Sequence, residues 1–403
     1  MKKVYILDES ISSKRNGIGT YTRQLVRILK PVAEVCVVSF NSESKELAVV
    51  YRDGIRQIMF PPFPTGNYTS NGDIISVAFK IYIGDDSDNL IIASHSPCSD
   101  FLAMVRKYLP LSKIIFVIHD FEWTMECAGS REKYTRIIKA GKRKNIKNRY
   151  SFLINRYDEE KRIYSLSDKI VCLCHESFCL LRDLYGVDEK KLSLISNGLP
   201  QSKKGDRAAV RKEFFIGDDE KVLLFSGRLV SAKGIDILFS AFEKVLQQNS
   251  KARLVLVGSL NFHAEKLLAS YPHAVSRITV TGFLSKEILQ KWYTMADIGV
   301  IPSCYEQCSY TGIEMMMNGI PIVTTDGYGL SDMFKSGENA SVVKLNGCKC
   351  PKNTAEDLAD AIVSLLDSEE LCEYLGKKAY EAYKNRYQLK YMRMGYVNLI
   401  NEL

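Results

Sequence analysis

The stretch Ala296–Thr325, ADIGVIPSCYEQCSYTGIEMMMNGIPIVTT, decides the fold. Ile298–Ile301 is a short apolar run of the kind that fills a strand covered on both faces. Pro302 and Ser303 stop it. Ser309 stands where a helix N-cap belongs, and Ile313, Met316 and Met317 follow at helical spacing. Asn318-Gly319 supplies a left-handed C-cap, and Ile320–Val323 begins the next buried strand. Glu306 and Glu314 lie eight residues apart across the helix start. A helix N-terminus presents N–H groups and positive partial charge, so it favours an anion. Carboxylates beside an anion repel it unless they face hydroxyls. The combination suits a ligand carrying both phosphate and sugar. The alternative is an ordinary βαβ unit with a solvated Glu306 and a Glu314 at the core edge.

Upstream, Ser226-Gly227-Arg228-Leu229-Val230-Ser231-Ala232-Lys233-Gly234 joins an apolar strand, Val222–Phe225, to a helix, Lys233–Gln248. Arg228 offers a planar fork to phosphate oxygens and Lys233 a mobile point charge, while Gly227 and Gly234 relax the backbone. The order of a Walker A loop is absent. Two cations at the mouth of one strand and an anion-binding helix at the mouth of another converge on one switch-point crevice. Their co-occurrence with Glu306 and Glu314 favours a diphosphate-sugar site.

The same alternation runs through the whole chain. Strands are predicted at Ile278–Val280, Leu254–Val257 and Ala340–Val343, with helices at His263–Ser270 and Lys286–Met295, and near-continuous helix over 354–403. In the first half, strands are predicted at Val4–Leu7, Val35–Phe40, Gly54–Phe60, Asn89–Ala93, Lys113–Ile118, Lys169–Leu173 and Lys191–Ile195, with a helix at Glu176–Tyr185. Asn197–Pro200 breaks the pattern and the polar 201–206 reads as a linker. Strand-helix alternation on both sides of that break means two doubly wound α/β halves with mostly parallel sheets.

Three features of the first half bear on chemistry. Asn16-Gly17-Ile18-Gly19-Thr20-Tyr21 enters a helix, so Gly17 and Gly19 let backbone approach a ligand. As a dinucleotide fingerprint it lacks the third glycine and a following acid, so NAD is not expected. His119 and Asp120 follow a strand directly and project into the crevice of an open sheet; His95 is a weaker candidate of the same kind. Asp85-Asp86-Ser87-Asp88 contains a D-x-D but opens a strand at the other sheet edge, and reads as a solvated turn.

The net charge of +8 on 403 residues has one address. Residues 131–162 hold 12 Lys/Arg against Glu132, Asp158, Glu159 and Glu160, a local balance of +8. This segment reads helical, broken near Gly141, with Ile137, Ile138, Ile146, Phe152, Leu153, Ile154 and Tyr157 interleaved. Such a composition suits an anionic membrane surface or a solvated face. No nucleic-acid module accompanies it, and nucleic acid is not expected as a partner. Eleven cysteines, without a small-domain framework, read as reduced thiols in a cytosolic protein, with Cys172, Cys174 and Cys179 in the core. The C-x-C of Cys348 and Cys350 has no second pair, so no metal is expected. The start, MKKVYILDESISS, is too weakly apolar for a signal peptide, and no window is long and apolar enough to span a membrane.

GRLVSAKGIDIL, VTGFLSKEIL, YEQCSYTGIE and NGIPIVTT, with NGIGTYTRQL, His119-Asp120 and ISNGL before them, resemble the family-4 glycosyltransferases in the right order and over nearly the whole chain. The resemblance implies the GT-B fold: two Rossmann-like doubly wound domains facing a central cleft, with C-terminal helices packing back toward the N-terminal domain. It implies an acceptor-binding domain over 1–200, a nucleotide-sugar-binding domain over 201–380 and a crossing helix over 381–403. The implied activity is retaining, metal-independent transfer from a UDP- or GDP-linked sugar to a glycan, lipid-linked or other hydroxyl acceptor. Carried over by position, Arg228 and Lys233, with Gly227, would hold the diphosphate, Glu314 the ribose hydroxyls and Glu306 the sugar. Backbone N–H groups from Gln307, Cys308, Ser309, Tyr310 and Thr311 would reach the phosphate. Gly17 and Gly19 would close over it, and His119, beside Asp120, would line the reaction centre. Many relatives carry Pro-Phe-Gly where this chain has Gln307-Cys308-Ser309, so donor identity is expected to depend on those residues. A nucleotide-sugar hydrolase or epimerase, or a non-catalytic sugar-nucleotide-binding protein, shares most of these features.

Overall fold

A computed structural model describes residues 1–9, 17–63, 71–93, 99–141, 150–203, 205–346 and 352–403. His95, the Cys348/Cys350 pair, Asn16, Ile146 and the densest part of the basic segment, 142–149, lie outside the described residues. The chain forms two compact units: 1–122, 132–198 and 389–403 make one, and 123–131 with 199–388 make the other.

The first unit is built on an eight-stranded sheet. Its strands are β1 (Lys3–Glu9), β2 (Glu34–Phe40), β3 (Ala48–Arg52), β4 (Ile55–Met59), β5 (Asn89–Ala93), β6 (Lys113–Ile118), β7 (Lys169–Cys172) and β8 (Leu192–Leu194). They lie in the order β3-β4-β2-β1-β5-β6-β7-β8, and every neighbouring pair is parallel except β3 with β4. The chain winds outward from β1 through β2 to β4, then returns to the other side of β1, so the topological switch falls between β1 and β5. β5 is buried along its whole length, as the central strand of a covered sheet must be.

One strand departs from the expected set. Ala48–Arg52 pairs antiparallel with Ile55–Met59 through a two-residue turn, Asp53-Gly54, both in the left-handed region (φ 52° and 69°). The hairpin exists because Asp-Gly accepts that turn at little cost. The Asp85–Asp88 turn is structural: Lys3 donates to Asp86 at 2.9 Å, and Asp85 accepts from the Leu111 and Ser112 amides. In the basic segment, helices span Arg131–Gly141 and Ser151–Leu166. Their interleaved apolar residues turn inward: Ile137, Ile138, Leu153 and Tyr157 are buried, whereas Phe152 is exposed. The helix Leu389–Asn401 belongs to this unit, with Gly395 packed against Ile195.

The second unit holds a six-stranded, all-parallel sheet of β9 (Lys221–Ser226), β10 (Ala252–Val257), β11 (Ile278–Val280), β12 (Ile298–Ile301), β13 (Ile322–Thr325) and β14 (Ser341–Val343). The order β11-β10-β9-β12-β13-β14 places its switch between β9 and β12. Helix Ile235–Gln248 buries Ile235, Leu238, Phe239, Phe242 and Val245 on one stripe, which anchors the chain as it leaves the β9 loop. The helical tail divides where Ser368 caps the helix Glu369–Ala382 and where Tyr383–Tyr387 widens into a π-turn.

Candidate functional site

The two stretches singled out in the second half meet at the β9/β12 switch point. After β9 the chain passes Gly227 and Arg228 into a tight turn, Ser231–Lys233, closed by Gly234 at φ 72°. A Cβ on Gly234 would lie 1.8 Å from the Pro302 carbonyl oxygen, so only glycine lets this turn press against the end of β12. Three further bonds join the loops. The Cys304 amide donates to Ala232 O at 2.9 Å, the Cys304 thiol to Ser231 O at 3.6 Å, and Thr311 Oγ1 to Ser226 O at 3.2 Å.

This approach brings Lys233 Nζ to 2.5 Å from Glu306 Oε1, which also accepts from Ser303 Oγ at 3.1 Å. The two side chains are 24% and 16% exposed, so the ion pair is mostly shielded yet open to a ligand. Arg228 is exposed, and its guanidinium has no ion-pair partner among the described residues. The Glu306 loop is braced from behind: its amide donates to Tyr328 O at 2.9 Å, and Gly329 packs against its carbonyl. Trp123, in the segment that joins this unit from upstream, meets the Tyr328 ring edge-on at 5.1 Å.

Ser309 caps the helix Tyr310–Asn318, its Oγ accepting from the Gly312 amide at 3.2 Å, and Gly319 ends that helix in the left-handed region. The Ser309 amide donates to Met333 Sδ at 3.1 Å, so it and the Gly312 amide are committed inside the protein. Gln307, Cys308 and Ser309 are buried, while Tyr310 and Thr311 are partly exposed. Glu314, on the same helix, accepts from Tyr293 Oη at 2.7 Å. Burial raises the Glu314 carboxyl above the ordinary glutamate range, and the Tyr293 bond and Lys286 oppose that only in part. Sequence reasoning did not single out Tyr293 or Ser303; both act through contacts that spacing along the chain does not encode.

In the first unit, helix Gly17–Leu29 begins at Gly17, so Gly17 and Gly19 lie in its first turn rather than in the loop before it. His119 follows β6 and is partly buried; Asp120 is exposed and its Oδ1 accepts from the Phe121 amide at 2.8 Å. The Tyr21 ring meets the His119 ring edge-to-face, with centroids 4.5 Å apart. Among the described residues, no cluster of His, Cys, Asp and Glu could hold a metal ion, and no helix is long and apolar enough to cross a membrane.

Two doubly wound units, the second with polar residues at the carboxyl ends of its switch-point strands, define a GT-B-type α/β protein. Sucrose-phosphate synthase of Thermosynechococcus elongatus shares this fold at a TM-score of 0.79 and 19% identity, over 100% of this chain and 99% of that one. HepE of Anabaena, solved in complex with UDP-glucose, shares it at 0.72 and 15% identity over the whole of both chains. The family model described as Glycosyltransferase Family 4 matches residues 15–203, and that described as Glycosyl transferases group 1 matches 206–382. The chain belongs to these GT-B-fold glycosyltransferases. An uncharacterized glycosyltransferase of Methanocaldococcus jannaschii is 30% identical over 211 residues, which are 50% of this chain and 52% of that protein. The chain spans about half the length of the curated relatives it matches.

Proposed function

We propose that this protein transfers a sugar from a nucleotide-diphosphate sugar to a hydroxyl acceptor with retention at the anomeric carbon. The observation that carries the proposal is the Lys233–Glu306 pair at the β9/β12 switch point, with exposed Arg228 on the same loop. Arg228 and Lys233 hold the diphosphate; as the bond from the anomeric carbon to the phosphate oxygen breaks, they offset the negative charge that collects there. Glu306 orients the sugar through its hydroxyls. Glu314 holds the ribose hydroxyls, and backbone N–H groups at the start of the 310–318 helix meet phosphate oxygens. The acceptor oxygen bonds the anomeric carbon on the face the phosphate leaves, and the departing phosphate takes the acceptor's proton. The products are a glycoside and a nucleoside diphosphate. His119 contacts the donor sugar, with Asp120, Gly17 and Gly19 beside it. No metal ion takes part.

A UDP-linked donor is the first to test, because HepE, which shares the fold, was solved with UDP-glucose. The 201–380 region binds the donor and the 1–200 region the acceptor, a glycan or lipid-linked molecule of cell-surface synthesis. The acceptor's place implies a cytoplasmic enzyme at the inner face of a membrane. The basic segment 131–162 holds it there by charge rather than insertion, since most of the described apolar residues in that segment are buried.

A thermal-shift screen of nucleoside diphosphates and sugar nucleotides identifies the donor, and product analysis with and without acceptor, in EDTA, identifies the reaction. Stabilisation by a nucleoside diphosphate that is lost in Lys233→Ala, and stabilisation by the sugar nucleotide that is weakened in Glu306→Ala, are expected. Wild-type turnover in Lys233→Ala would refute the assignment, and free sugar formed at full rate without acceptor would make the protein a hydrolase. Flotation with anionic liposomes, unaffected by Lys/Arg to Glu changes at 142–149, would remove the membrane contact.

A further inference from the structure

Three segments far apart in sequence meet behind His119. The histidine leaves the end of β6, Tyr21 comes from the helix that follows β1, and Tyr396 comes from the final helix, Leu389–Asn401. Tyr21 and Tyr396 are both fully buried, and their hydroxyls are hydrogen-bonded to each other. Burial pushes the Tyr396 phenol far up, so Tyr396 enters the contact as a neutral hydroxyl. A buried hydroxyl without a partner is costly, and this bond satisfies both. It also fixes where the Tyr21 ring lies, because the ring is held at its hydroxyl end by Tyr396 and along its helix by the main chain. The other side of that ring faces His119, with the planes at 80° and the centroids 4.5 Å apart. An edge-to-face contact has a preferred geometry, so the plane of Tyr21 sets the plane of the imidazole.

We propose that Tyr21 is a positioning residue for His119 and that Tyr396 holds Tyr21 in place, so that the last helix of the chain supports the reaction centre. The proposal takes His119 to contact the donor sugar, and so rests on the transfer reaction proposed above. An imidazole that turns about its Cα–Cβ bond would keep its chemistry and lose its aim. The signature is therefore a fall in kcat at an unchanged KM for the donor, whose diphosphate is held elsewhere.

The test uses the full chain carrying Tyr21→Phe, Tyr396→Phe, both together, or Tyr21→Leu. Transfer kinetics are followed alongside the ring proton and carbon signals of His119, assigned by their loss in His119→Gln. Each Phe variant strands one buried hydroxyl and is expected to lower kcat by about 3- to 10-fold at constant donor KM. The combined variant removes both hydroxyls, keeps both rings, and is expected to recover most of that loss. Tyr21→Leu removes the ring and is expected to lower kcat on the order of 10-fold or more, without recovery on adding Tyr396→Phe. It should also move the His119 ring signals and their pH titration. His119 signals unmoved by Tyr21→Leu overturn the proposal, and this readout needs no turnover. A protein that transfers no sugar at all would therefore defeat the proposed function while leaving the positioning to be decided by the signals. Rate losses that only track a falling melting temperature, with no recovery in the combined variant, overturn it as well.

Discussion

Replacing Lys233 by Met keeps the side chain long and removes its charge. Glu306 then retains Ser303 Oγ at 3.1 Å but loses the ammonium at 2.5 Å. Breaking a buried ion pair from one side costs about 3–5 kcal/mol, and an exposed one about 0–1 kcal/mol. This pair, at 24% and 16% exposure, lies between, so unfolding free energy should fall by about 1–2 kcal/mol. For a unit of this size that lowers Tm by roughly 2–8 °C and leaves the protein folded at 25 °C. Transfer should suffer more. Loss of a cation opposite the charge developing on the diphosphate costs about 2.7 kcal/mol or more, a fall in kcat of ~100-fold. Adding Glu306→Gln neutralises the stranded carboxylate, so Tm should recover while turnover does not. Thermal unfolding and the rate of nucleoside diphosphate release, measured on the same preparations, separate the two effects. A kcat for Lys233→Met within about threefold of wild type, or turnover that recovers with Tm in the double variant, would refute the assignment.

The second cation differs: Arg228→Ala should raise the donor KM by about tenfold with little change in Tm, because an exposed guanidinium contributes a charge-assisted contact to the ligand and none to the core. Ser309→Ala removes the cap of the 310–318 helix and should lower stability by about 1 kcal/mol, read as a shift of roughly 2–4 °C in Tm. Glu160 gives a pH dependence. Burial lifts its carboxyl from the ordinary 4.5 to about 7, while the Tyr185 hydroxyl and Arg156 pull the other way. The folded state then holds a proton that the unfolded state has released, so stability falls as pH rises from 4.5 through 7, by about 3 kcal/mol in all. Glu160→Gln should flatten denaturant-measured stability across that window and be the more stable protein at pH 8; an unchanged slope would show that Glu160 titrates normally. Gly234→Ala should abolish donor binding seen by thermal shift, since its Cβ would drive the Lys233 turn off Pro302.

Legibility in the sequence followed burial. Asn89–Ala93, Ile298–Ile301 and the helix Lys286–Met295 lie where the pattern puts them, because strands covered on both faces and helices with one apolar stripe leave an unambiguous trace. Ser309 and Gly319 were equally plain, since capping is local chemistry. The strand Ala48–Arg52 was not: it sits at a sheet edge with Val49 39% and Tyr51 74% exposed, so it lacks an apolar run, and its real signal is the Asp-Gly turn after it. Breaks in the helical tail were marked by Ser368, whose capping role a continuous helical pattern hides. At the candidate site each residue could be named, but not who meets whom. Lys233 and Glu306 are 73 positions apart, and only the strand order β9-β12 makes them neighbours.

That strand order also bears on how, in the proposed reaction, two carboxylates would stand beside a diphosphate. Glu306 is matched by Lys233 at 2.5 Å, so the pair presents little net charge to an incoming anion. Glu314 is bonded to Tyr293, and burial raises its carboxyl above the ordinary glutamate range. Exposed Arg228 is then the unmatched charge on the β9 loop, and it is positive. In the proposed reaction a doubly negative ligand would be drawn in by Arg228 and, once there, compete with Glu306 for Lys233. The carboxylate so loosened has its lone pairs turned toward whatever hydroxyls the ligand brings. On this account Glu306 does not oppose the phosphate: it is released by it.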